Sequence, residues 1–110
     1  MSISDRYRAL SEEVSSFARV QAKHYGEEVE PPVKDALKAL NKAVEVLDEL
    51  KESVGEIPRI SLEYKLTPVL LSGHNNLDRA RLEFEAAEEE TIAKEVWDLQ
   101  QSIYRLLNDL

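Results

Sequence analysis

From Ile92 to the last residue, the chain places Ile92, Val96, Leu99, Ile103, Leu106 and Leu110 at steps that alternate between four and three. Such spacing returns every member to one side of a backbone turning about 100° per residue, so the segment is predicted to be a helix with one buried side. The same rhythm occurs near the N-terminus, where Ile3, Tyr7, Leu10, Val14 and Phe17 follow Ser2 and Ser4, either of which can cap a first turn. Carried on, that spacing reaches Gln21 and His24, so the stripe turns polar before Gly26 ends the helix.

Helix breakers are scarce: three glycines and four prolines, all outside the strongest periodic stretches. Pro31 and Pro32 suit a second helix start, because the amide hydrogens missing there have no intrahelical partner anyway, and Gly55 suits its end. Between about Pro32 and Val54, Val33, Leu37, Leu40, Val44 and Leu47 form one stripe, and Ala36, Ala43, Val46 and Leu50 an adjacent one. Together they span an arc of roughly 180°, more than one neighbour covers, which predicts a central helix or one that also faces an oligomeric partner. Leu40, Val44 and Leu47 are the expected core residues at the middle of that arc.

From Glu56 to Leu66 the period changes to two, with Ile60, Leu62, Tyr64 and Leu66 alternating with Arg59, Ser61, Glu63 and Lys65. This predicts an extended crossover over about 56–66, running back along the bundle so that the next helix lies parallel to the second. Thr67-Pro68 then opens a short turn, interrupted by Gly73 and Asn75-Asn76. Leu77, Ala80, Phe84 and Ala87 share one face, and the phase slips across Glu88-Glu89-Glu90-Thr91 with no glycine or proline to mark a break. One long helix from about Asn76 to the C-terminus is the preferred expectation, with separate third and fourth helices as the alternative.

The expected fold class is therefore all-α, an antiparallel three- or four-helix bundle with an extended crossover. At 110 residues a single domain spanning 1–110 is expected. Apolar residues make up 43% and charged residues 33%, a mixture that folds. The N-terminal residues lack a secretory pattern and no apolar run approaches the roughly 20 residues of a membrane span, so a soluble, cytoplasmic chain is expected. The absence of cysteine rules out disulfide frameworks, thiolate catalysis and zinc–thiolate sites. A net charge of −8 opposes binding to nucleic acid and to anionic lipid, and neither is expected as a partner.

Candidate chemistry is sparse. His24 and His74 lack a glutamate three positions before them, which excludes the Glu-x-x-His repeat of di-iron bundles, and His74 with Asp78 lacks a third ligand. Acid groups at helical spacing, Glu45, Glu49 and Glu52 or Glu85, Glu88 and Glu89, leave open a metal-dependent phosphate hydrolase in the manner of all-α nucleotide pyrophosphatases. A solvated helix face explains the same pattern. No catalytic, cofactor or metal residue is assigned and no cofactor is expected.

Two surfaces point to protein partners. Lys34, Lys38 and Lys42 occupy the first half of the second helix, while Glu45 and Glu49, with Asp48 and Glu52, occupy its second half. This order opposes the helix dipole and suits antiparallel apposition with another copy, although local pairs such as Lys42–Glu45 and Asp48–Lys51 explain it equally. On the last helix Trp97 and Tyr104 flank the main stripe, with Ala93 and Leu107 on the same side. The expected function is a non-enzymatic protein–protein interaction module, a homo-oligomer or a small subunit of an intracellular assembly. An acidic inhibitor or nucleic-acid mimic, using Glu27, Glu28, Glu30 and the glutamates from Glu83 to Glu90, is the alternative.

Overall fold

The computed structural model describes residues 1–110 and contains four helices: α1 (Ile3–Tyr25), α2 (Pro31–Asp48), α3 (Arg59–Ala86) and α4 (Glu90–Asn108). Each helix packs on its two neighbours in the cyclic order α1, α2, α3, α4, with α2 against α3 the most extensive pair and α4 closing the ring on α1. Successive helices are antiparallel. Tyr7 near the start of α1 hydrogen-bonds the Leu47 carbonyl near the end of α2, and Arg6 pairs at 2.8 Å with Asp109 just beyond α4. A single cluster of 20 buried residues draws on all four helices and on the 3₁₀ turn Val54–Glu56.

Local chemistry sets the boundaries. The Ser2 side chain accepts the Asp5 amide at the start of α1, and Gly26 ends that helix at a φ of 68°. Pro31 and Pro32 begin α2, which stops at Asp48, short of the predicted Val54, because two turns and the 3₁₀ segment follow. Leu40 and Leu47 are fully buried and Val44 lies half-buried at the edge of the core. The wide apolar arc of α2 is used up inside the bundle, since α1 takes one side and α3 the other.

The predicted extended crossover is absent, because Arg59 to Leu66 form the first two turns of α3 and the helix runs antiparallel to α2. The alternation of four apolar residues contains two i,i+4 pairs, Ile60–Tyr64 and Leu62–Leu66, and a helix presents these on opposite sides. Leu62 and Leu66 continue inward as Leu70, Gly73 and Leu77, a stripe long enough to decide the matter for a helix. Pro68 and Gly73 do not interrupt it. Pro68 stays on the exposed side, and a Cβ at Gly73 would meet the Leu47 side chain at 3.0 Å, so this glycine is where α2 packs on the α3 backbone.

The expected single helix from Asn76 to the C-terminus is also divided, and the alternative with separate third and fourth helices holds. Glu88 sits in the left-handed region at φ 63°, and the Glu89 amide reaches back to the Phe84 carbonyl at 2.9 Å, which closes α3 as a Schellman-type cap. A glutamate in this conformation carries a steric cost that glycine escapes, and its charge opposes the helix C-terminus. Glu88→Gly is therefore expected to stabilise the fold by about 0.5–1 kcal/mol in urea melts. A loss of stability would show that the cap does not form as described.

With 28 residues, α3 is ~42 Å long, close to the 45 Å longest dimension of the molecule. The Leu47–Gly73 contact places the end of α2 beside the middle of α3, so the first ten or so residues of α3 outrun α2. On the inner side of this overhang Leu66 is buried and Leu62 partly so; on the outer side Ile60 and Tyr64 are 93% and 79% exposed.

Candidate functional site

The register between α3 and α4 is set by one polar cluster. Asp78 Oδ1 accepts the Gln100 amide at 3.0 Å and the Arg81 guanidinium at 2.8 Å, while the other terminal nitrogen of Arg81 donates to Glu85 at 2.8 Å. Arg81 lies over the Trp97 ring, 5.5 Å from its centroid. The hydrogen bonds from Arg81, then Gln100, hold the Asp78 carboxyl below its usual range. Gln100 itself is fully buried. This partly exposed polar network holds α3 against α4 at a defined height.

Because the helices are antiparallel and Asp78 meets Gln100, Tyr104 lies level with His74, one turn earlier on α3, and Trp97 level with Arg81. The outer faces of α3 and α4 therefore form one surface. On it stand Ile60, Tyr64, Leu71 and Leu82 from α3, and Trp97 and Tyr104 from α4. These are six of the eight large apolar or aromatic side chains exposed anywhere on the molecule, the others being Met1 and Val20. The exposed large side chains are therefore gathered on one face and not scattered over the molecule.

Two depressions punctuate this face. Around Trp97, an open pocket of about 550 Å³ is lined by Arg81, Glu85, Glu90, Ala93, Lys94 and Trp97. At the overhang, a second of about 480 Å³ is lined by Ile60, Glu63, Tyr64, Thr67 and Pro68. Trp97 and Tyr104 are 46% and 54% exposed, whereas Ala93 is buried at the base and Leu107 is partly covered by the core. The flank of α4 thus presents two aromatics over a packed support.

Lys34, Lys38, Lys42 and Glu45 lie exposed on the outer side of α2, and Glu49 lies exposed just beyond its end. Since α2 packs between α1 and α3 and not against α4, the structure does not bring these charges together with Trp97 and Tyr104. Lys42 makes a weak local pair with Glu45 at 3.8 Å; Lys51 reaches across to Glu12 on α1 instead of pairing with Asp48. Lys38 and Lys42 also border a polar cleft with Asp35, Asn76, Arg79 and Glu83.

Ile60, Tyr64, Leu71 and Leu82 are absent from the sequence-derived surface. Ile60 and Tyr64 were absorbed into the expected crossover, yet Ile60, Leu71 and Leu82 recur every eleven residues, three helical turns, which is the signal that finds them once the segment is read as helix.

The acidic runs meet at the far end of the bundle, because the α1–α2 and α3–α4 connections share it and Tyr25 stacks on Phe84 with centroids 6.1 Å apart. Burial and the nearby Glu89 carboxylate push the Tyr25 hydroxyl up to about 12. No three His, Asp or Glu side chains converge in a way that holds a metal ion, and Asp78 is engaged by Arg81 and Gln100. No helix is long and apolar enough to cross a membrane. The chain matches no protein-family model, no curated protein and no solved structure.

Proposed function

We propose that the chain is a non-enzymatic protein–protein interaction module that binds through the α3–α4 face. The observation that carries this reading is the collection of Ile60, Tyr64, Leu71, Leu82, Trp97 and Tyr104 on one side of the bundle. Tyrosine and tryptophan suit such a role, since each offers a large apolar body and a polar tip that stays satisfied when the surface is wet. The Arg81 network stiffens the support beneath Trp97, which lowers the ordering cost of binding there.

A second reading is favoured by one observation: the fold gathers Glu27, Glu28 and Glu30 with the glutamates from Glu83 to Glu90 at one end. That end suits a basic groove on another protein. Salt separates the two readings, because association through the apolar face of a chain with charge −8 strengthens or holds as salt rises, whereas capture by a basic groove weakens steeply.

In-cell cross-linking with a lysine-reactive reagent tests the proposal. Lys94, beside Trp97, and Lys65, on the overhang, are expected to cross-link to protein, either this chain or another, while Lys23 on α1 is not. Loss of the Lys94 cross-links in Trp97→Ala with the fold intact supports the face. Cross-links confined to Lys23, Lys34 and Lys38 contradict it.

A further inference from the structure

We infer that the occupant of the α3–α4 face is a second copy of this chain, laid antiparallel about a two-fold axis at Leu71. The inference rests on the reading of that face as protein-binding and supplies its partner. It begins with α3, which carries apolar stripes on opposite sides. Leu66, Leu70, Leu77, Ala80 and Phe84 are buried inside, while Ile60, Tyr64, Leu71 and Leu82 look outward at 93%, 79%, 46% and 50% exposure. A helix apolar on opposite sides is one that is covered on both.

The outer stripe is symmetric about its centre. Ile60 and Leu82 each lie eleven residues from Leu71, and eleven residues are three turns with a drift of only about 20°. Turned end for end, the stripe falls on itself: Leu71 meets Leu71 of the second copy, and Ile60 meets its Leu82. Tyr64 and Asp78 each lie seven residues from Leu71 and so come opposite one another as well. The Tyr64 hydroxyl then donates to Asp78 of the second copy, whose Oδ2 is not used by Arg81 or Gln100. An unrelated helix has no cause to share this symmetry, whereas a second copy has it by construction.

The flank of α4 completes the contact. Trp97 stands level with Arg81, so Ile60 of the second copy arrives between Leu82 and Trp97. The stripe is ~33 Å long from Ile60 to Leu82 and a helix with its side chains is ~10 Å across, giving roughly 330 Å² per copy along α3, to which α4 adds its flank only from Leu71 to Leu82. This lies below the roughly 800 Å² per partner of a standard stable interface, so the dimer is a weak one that forms at high protein concentration. Net charges of −8 on both copies oppose the approach, so dimerisation strengthens as salt screens them.

A residue on a two-fold axis meets itself, which makes a charge swap decisive. Leu71→Asp and Leu71→Lys are each expected to fold, since Leu71 is 46% exposed and the inner stripe is untouched. Sedimentation equilibrium of the wild type should give a dimer mass; each variant alone should be monomeric, with association weakened at least about a hundredfold by like charges at the axis. An equimolar mixture of the two should recover dimers. In this cysteine-free chain, Leu71→Cys should also oxidise to a covalent dimer, and Val20→Cys on α1 should not. A wild type that stays monomeric at the highest attainable concentration overturns the inference; Lys94 cross-links to a different protein would then still uphold the face as a binding surface. Dimers that persist in both single variants also overturn it.

Discussion

Phe84→Ala is expected to lower the unfolding free energy by about 3–5 kcal/mol, the cost of emptying a large buried aromatic site. Phe84 is fully buried at the end of the inner α3 stripe, its ring stacks on Tyr25 of α1, and its carbonyl accepts the Glu89 amide that closes α3. The side chain therefore supports the diagonal contact between α1 and α3, while the backbone carbonyl that closes α3 is kept in the alanine variant. The informative control is on the same helix: Ile60→Ala, measured in dilute protein, should change stability by no more than about 0.5 kcal/mol, because Ile60 is 93% exposed. Chemical denaturation of both variants checks the assignment of the two sides of α3. Equal losses would mean that the overhang is covered within one chain.

Leu40→Ala should cost about 2–5 kcal/mol for the same reason, since Leu40 is fully buried in the helix that packs on both α1 and α3. Val44→Ala, one turn later, should cost less because Val44 lies half-buried at the core edge. A change below about half a kcal/mol for Leu40 in urea melts would show that α2 is not held between its neighbours.

The sequence made α1 and the C-terminal helix legible because their stripes are long and single-sided. The interior of α2 was equally plain; its wide arc left open a central helix or an outside partner, and two neighbours within the bundle account for it. A helix in a four-helix ring contacts two others, and an arc of roughly 180° is what that geometry requires. Misreading of residues 56–66 has a different cause. Over eight residues, a period of two and two opposed i,i+4 pairs give the same pattern, and only continuation through Leu70, Gly73 and Leu77 separates them.

The break after Ala86 showed in the sequence only as the phase slip across Glu88–Thr91, which left two helices as the alternative and not the preferred expectation, because its left-handed residue is Glu88, where composition rules look for glycine. Of the proposed partner surface, Trp97 and Tyr104 could be seen in the sequence as an aromatic flank. Their joining with Ile60, Tyr64, Leu71 and Leu82 depends on α3 lying antiparallel beside α4, a relation between distant segments that no local pattern carries.

Trp97 is the sole tryptophan of the chain and stands in the middle of the question, so its fluorescence reports directly on whether the α3–α4 face is covered by a second copy. Across a concentration series at fixed salt, its emission is expected to shift to shorter wavelength and its quenching by acrylamide to fall, in step with the rise from monomer to dimer mass. Leu71→Asp should hold both signals at their dilute values. Emission and quenching that stay constant while the wild type dimerises, or a wild type that never leaves the monomer, would contradict the account.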